Sequence, residues 1–199
     1  TTEIYTLSLH DALPISTLLR SNTPGLPDML AFLAELGVPT TGLNTLIYAG
    51  QGLSIREPLK QEELHHLLQQ AQNLTTSNQQ RLVWYTPTQY CQFNPVDENL
   101  GVKGCTAALY NMCIEPDGNV LPCQSYYQPL GNFLTDPWQE IWNHPLAVGL
   151  RERKFAPASC QTCTMLQACG GGCPLARQAG AYAEPTPYLT LFEDLEKLS

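Results

Sequence analysis

Long apolar runs are missing from this 199-residue chain: no stretch approaches the ~20 residues needed to span a bilayer. Charge is also scarce, at 14% of residues, and a basic excess is absent, with 10 Lys and Arg against 18 Asp and Glu and a formal net charge of -8. That balance argues against nucleic acid or acidic lipid as main partners. The opening segment "TTEIYTLSLHDALPIS" has no basic leading region and no continuous apolar stretch, so no secretory signal is read there. There is no internal repeat and no low-complexity tract. These absences point to a cytoplasmic protein and leave little support for a disulfide-stapled secreted domain.

What is abundant is cysteine. Eight thiols lie at 91, 105, 113, 123, 160, 163, 169 and 173. Without a secretory context, metal or cluster binding becomes the leading use for them. The first 15 residues, "TTEIYTLSLHDALPI", resemble a translated sequencing adapter codon by codon. They are set aside as non-native, and native sequence is expected from Ser16, inside a larger protein cut at its N-terminal side.

Residues 16–87 alternate between two periodicities. "TLLRS" (17–21), "NTLIYAG" (44–50) and "RLVWYT" (81–86) read as strands, the middle one a continuous apolar run suited to a buried parallel strand. "PDMLAFLAELG" (27–37) and "QEELHHLLQQAQNL" (61–74) read as helices with leucines at helical spacing. Pro27 suits a first turn and Gly37 a stop. Strand–helix alternation implies parallel strands with crossovers, and three strands are only part of such a fold.

Residues 88–104 are rich in Pro, Asn and Gly and read as a linker. "CIEPDGNVLPC" (113–123) reads as a hairpin turning at Asp117 and Gly118. "TDPWQEIWNH" (135–144) reads as a short helix capped by Asp136, with Gln139 at capping-box spacing and Trp138 and Trp142 in a core. His144 is expected at that helix's C-terminal carbonyls, and Arg151, Arg153 and Lys154 on a solvated face. His65 and His66 are adjacent on one helix, cannot share a metal from it, and read as solvated.

The sharpest signal is Cys160-x2-Cys163-x5-Cys169-x3-Cys173, preceded by Cys105-x12-Gly118-x4-Cys123. Clustered thiolates select zinc, Cu(I) or iron–sulfur clusters. Glycines 170–172 suggest backbone folded closely around a bulky group, with amides available to cluster sulfur. A structural zinc module of four thiolates satisfies the spacing too and stays open as the alternative.

This pattern resembles the SPASM domain, the C-terminal auxiliary-cluster domain of radical S-adenosylmethionine enzymes. Positions 105, 118, 123, 160, 163, 169 and 173 match its motif except for a last cysteine. The phrases "IEPDGNVLPC", "LGNFLTDPWQEIW" and "LRERKFAPASCQTC" fit as well, and 16–85 is more loosely similar to the end of the partial barrel of such enzymes. The resemblance implies an α/β fold: the remnant of a partial parallel, TIM-like α/β barrel (16–87), the linker, a SPASM domain with a β-hairpin and short helices (105–175), and a C-terminal helix or tail (176–199).

It further implies two auxiliary [4Fe–4S] clusters. Cys105, Cys123 and Cys173, with Cys113 as fourth, would hold the first. Cys160, Cys163 and Cys169 would hold the second. The family's final ligand has no counterpart: "AEPTPYLTL" offers Glu184, and Cys91 is the one remaining thiol, read as core before ligand. Gly50 and Gly52, after the second strand, are candidates to approach S-adenosylmethionine. The family's CxxxCxxC radical-generating motif is absent, so this chain alone is expected to be inactive. The resemblance implies for the parent a radical oxidoreductase or maturase. It would take hydrogen from a peptide or small-molecule substrate through a 5′-deoxyadenosyl radical, with electrons from a donor such as ferredoxin or flavodoxin.

Overall fold

A computed structural model describes residues 13–55 and 58–185, without the side chains of residues 61 and 62. Residues 1–12 and most of the C-terminal tail therefore lie outside the described residues. The chain divides into two compact units. The first holds 13–46, 55, 58–86 and 93–103 of the described residues; the second holds 47–54, 87–92 and 104–185. The stretch read as a linker is thus shared out: 87–92 packs within the second unit and 93–103 within the first.

The first unit is a three-stranded parallel sheet in the order β1–β2–β3, with β1 at Ile15–Leu18, β2 at Thr40–Thr45 and β3 at Arg81–Trp84. Ile15 opens β1 opposite Gly42, so the ladder begins one residue before Ser16. Helices α1 (Leu26–Glu35) and α2 (Gln61–Ser77) join the strands and lie side by side. Leu30 of α1 and Leu64, Leu68 and Ala71 of α2 bury against Leu18, Leu43, Trp84 and Phe93. The helix residues are ones that sequence spacing marks, whereas Leu43 lies outside the strand expected at 44–50 and Phe93 in the stretch read as a linker; area burial of this kind is the main stabilising contribution. Pro27 sits in the first turn of α1, and Gly37 follows it at φ +72, the left-handed stop that glycine permits.

The middle strand departs from expectation: it runs Thr40–Thr45, not 44–50. The Thr45 amide donates to the Thr86 hydroxyl at 2.8 Å, so a side chain replaces the next ladder carbonyl and the pairing ends. Gly42 of β2 sits tightly against a neighbour: a Cβ there would lie 2.7 Å from the Tyr85 ring. His65 and His66 are on the exposed side of α2, as read; His65 Nδ1 lies 3.2 Å from Glu98.

The second unit is built from short pieces. An antiparallel meander, β4 (Cys113–Ile114), β5 (Asn119–Leu121) and β6 (Gly131–Asn132), carries the expected hairpin. Gly118 turns at φ +89, and the Asp117 carboxylate accepts from the Asn119 amide at 3.1 Å. Four helices follow: α3 (Trp138–Trp142), α4 (Pro145–Arg151), α5 (Leu166–Cys169) and α6 (Pro174–Gln178). Val120, Tyr126, Leu130, Ile141, Ala147 and Leu150 form the core, with Cys105 among them.

Three local features differ from expectation. Asp136 does not cap α3. Pro137 holds that position, while the Asp136 carboxylate accepts from the Asn132 amide at 2.7 Å and ties β6 to the turn. His144 caps the start of α4 instead of closing α3: its Nδ1 accepts from the Leu146 amide at 3.2 Å. Trp138 and Trp142 stack at 6.0 Å but remain 45% and 37% exposed, because α3 buries its Ile141 side. Among the described residues no helix is long and apolar enough to cross a membrane.

Candidate metal centres

The seven cysteines at 105, 113, 123, 160, 163, 169 and 173 do not gather at one point. Cys105, buried ahead of the meander, lies within electrostatic reach of Cys123 and Cys173. Burial pushes the Cys105 thiol up to about 11, and nearby Cys173 and Cys123 add to this, while the Ala107 amide and Arg153 oppose it. Cys173 is also pushed up by burial, against the amides of Ala176 and Leu175 at the start of α6. Bare thiolates are thus disfavoured at Cys105 and Cys173, which a cationic iron–sulfide core would reverse. Cys113 opens β4 and pairs with Leu121. Its side chain is half-buried, and its neighbour Ile114 is 54% exposed.

A second group surrounds a small cavity that is partly open to solvent. Cys160, Cys163 and Cys169 line it, and so does Cys91. The Cys160 thiol is raised by burial and by Cys91, Cys163 and Cys169, and lowered by Arg177. The Tyr90 amide donates to Cys169 Sγ at 3.3 Å, and the Cys169 thiol donates to the Thr88 carbonyl at 3.5 Å. The expectation of Cys91 as core comes out differently: it is half-buried, on the cavity wall beside the three motif thiols.

Glycines 170–172 connect the groups, running from Cys169 to Cys173. All three take left-handed φ values, +66, +78 and +81, which only glycine adopts in succession without strain. Gly171 lines the cavity of the second group. The vacant side-chain positions of the three face the chain's own Arg153, Ala156 and Tyr182, the last at 2.8 Å. The Gly170 and Gly172 amides donate to the carbonyls of Leu166 and Cys169, so they serve the turn.

Three residues missed in the sequence now matter. The Tyr182 hydroxyl donates to the Pro87 carbonyl and accepts from the Cys173 amide, both at 2.9 Å; burial raises its pKa strongly. Arg153 Nη1 and Arg177 Nε are buried without a hydrogen-bond partner, one beside Cys105 and the other beside Cys160. The basic run is therefore not a plain solvated face: Arg151 donates to the carbonyls of Ala108 and Trp142, and only Lys154, paired with Glu152, stays at the surface. Spacing could not have flagged Arg153 and Arg177, because their partners are far away in sequence.

Among the described residues, no three His, Cys, Asp or Glu side chains converge tightly enough to hold a single metal ion. The donor set and the two unpartnered guanidinium nitrogens fit an anionic thiolate-ligated cluster.

Comparison with known proteins agrees in kind. Residues 105–164 match the SPASM family model, described as an iron–sulfur cluster-binding domain. These residues are a SPASM domain. Around it, the fold matches that of solved proteins. The crystal structure of Streptococcus suis SuiB bound to S-adenosylmethionine matches with TM-score 0.62 and 18% identity, over 89% of this chain and 43% of that one. Native anSMEcpe with bound AdoMet matches with TM-score 0.55 and 15% identity, over 92% and 52%. At such identities the likeness is one of fold alone, and the chain spans about half the length of those proteins. The SPASM match ends at Thr164, one residue past Cys163, so Cys169 and Cys173 join the domain's thiols by geometry.

Proposed function

We propose that this chain carries two auxiliary [4Fe–4S] clusters and belongs to a radical S-adenosylmethionine oxidoreductase or maturase acting on a peptide or cofactor precursor. The observation that carries this reading is the sorting of the SPASM thiols into two sets, each beside its own half-buried arginine. Cys105, Cys123 and Cys173, with Cys113 as fourth, would hold the first cluster; Cys160, Cys163 and Cys169 would hold three corners of the second. When bound, such clusters supply one-electron transfer at potentials set by sulfur hydrogen bonds, charge and exposure.

The chain's own residues set those terms. The Tyr90 amide donates to a ligand sulfur, and Arg153 and Arg177 place positive charge beside each set. Both effects favour the reduced, more anionic state. The 199 residues contain no CxxxCxxC, so S-adenosylmethionine cleavage is assigned to the larger protein. Gly50 and Gly52, in a 3-10 turn at Gly50–Leu53, are proposed on its nucleoside side. Ferredoxin or flavodoxin would supply the electrons.

The test is anaerobic purification of the chain with iron, acid-labile sulfide and zinc analysis. The expected result is about eight iron and eight sulfide per chain, as two four-iron clusters require. Zinc at about one equivalent without sulfide would replace this reading with the structural zinc module.

A further inference from the structure

The two-cluster reading leaves the second cluster one ligand short, with three thiolates assigned to it. We infer that Cys91, from the segment ahead of the SPASM domain, is the fourth ligand of that cluster. This rests on the two-cluster reading and completes one of its sites.

Three observations lead there. First, Cys91 shares the wall of one cavity with Cys160, Cys163 and Cys169. Second, the backbone that carries Cys91 is tied to this site from both sides. The Thr88 carbonyl accepts from the Cys169 thiol, and the Tyr90 amide donates to Cys169 Sγ. The Pro87 carbonyl takes the Tyr182 hydroxyl, and the Gln92 side chain donates to the Ala183 carbonyl at 2.9 Å. Tyr90 and Gln89 are 2% exposed, so the segment is packed and not a loose tether. Third, Glu184 is exposed and does not line the cavity; its neighbour Pro185 does. A soft thiolate is also the better donor to iron–sulfide than a carboxylate.

The use of a cysteine ahead of the domain, in place of a trailing one, has a functional consequence. With four thiolates the second cluster has no open iron. It would pass electrons and would not bind substrate through the metal.

The test uses the full 199-residue chain, purified without air. Cys91→Ala is expected to lower iron by about one to four atoms per chain and to give a three-iron EPR signal on mild oxidation, with the first cluster's signal retained. Cys160→Ala serves as the reference. If Cys160→Ala lowers iron and Cys91→Ala leaves iron, sulfide and spectra at wild-type values, the Cys91 assignment falls and the two-cluster reading survives. If neither substitution changes the iron content, the two-cluster reading itself falls. Alkylation of the unsubstituted protein gives a readout independent of variant folding. Iodoacetamide should label Cys91 slowly in the cluster-loaded protein and roughly tenfold faster or more after iron removal, because a metal-bound thiolate is withheld from the reagent. Equal rates before and after would overturn the inference.

Discussion

The two units reach stability by different physical routes. The first buries Leu30, Leu43, Leu68 and Trp84 between a parallel sheet and two full-length helices. The second has strands of two or three residues, helices of four to seven, and thiols inside its core. A unit of short elements buries less regular apolar surface, so a bound cluster supplies what packing does not. The contrast marks where dependence on iron should end.

Removing iron tests this with the largest effect. Chelation of the loaded protein should abolish slow amide exchange in 104–185 and leave β1, β2 and β3 protected. Loss of protection in both units together would break the comparison. Leu43→Ala should act in the opposite sense. A cavity at this fully buried site should cost about 2–5 kcal/mol in the first unit's unfolding, with iron content unchanged. Gly172→Ala sharpens the comparison inside the second unit. Its φ of +81 and the Tyr182 ring at 2.8 Å should cost about 1–3 kcal/mol, and iron loading should fall. Tyr182→Phe is milder. It leaves the Pro87 carbonyl and the Cys173 amide unpartnered, for about 1–2 kcal/mol in thermal unfolding of the loaded protein.

The first unit was largely legible because its information is local. Leucine spacing marked most buried positions of both helices, though Leu36 at the same spacing is 45% exposed, and Pro27 and Gly37 marked the ends of one. The middle strand slipped because Thr86, far along the chain, ends its ladder at Thr45. In the second unit the cysteine spacing and the Asp117–Gly118 turn were readable. Periodicity marked a Trp138–Trp142 face but not whether anything covers it, and it stays exposed. Asp136 and His144 carry correct capping chemistry, yet each serves a neighbouring element. Cys91, Arg153, Arg177 and Tyr182 reach their partners only through tertiary structure, and no spacing rule finds such contacts.

The central claim is that the thiols form two separate cages, and native mass spectrometry of the anaerobic protein tests it most directly. The account predicts two cluster-sized mass increments, with Cys123→Ala losing one and Cys160→Ala losing the other. Either substitution removing both increments, or neither, would contradict it.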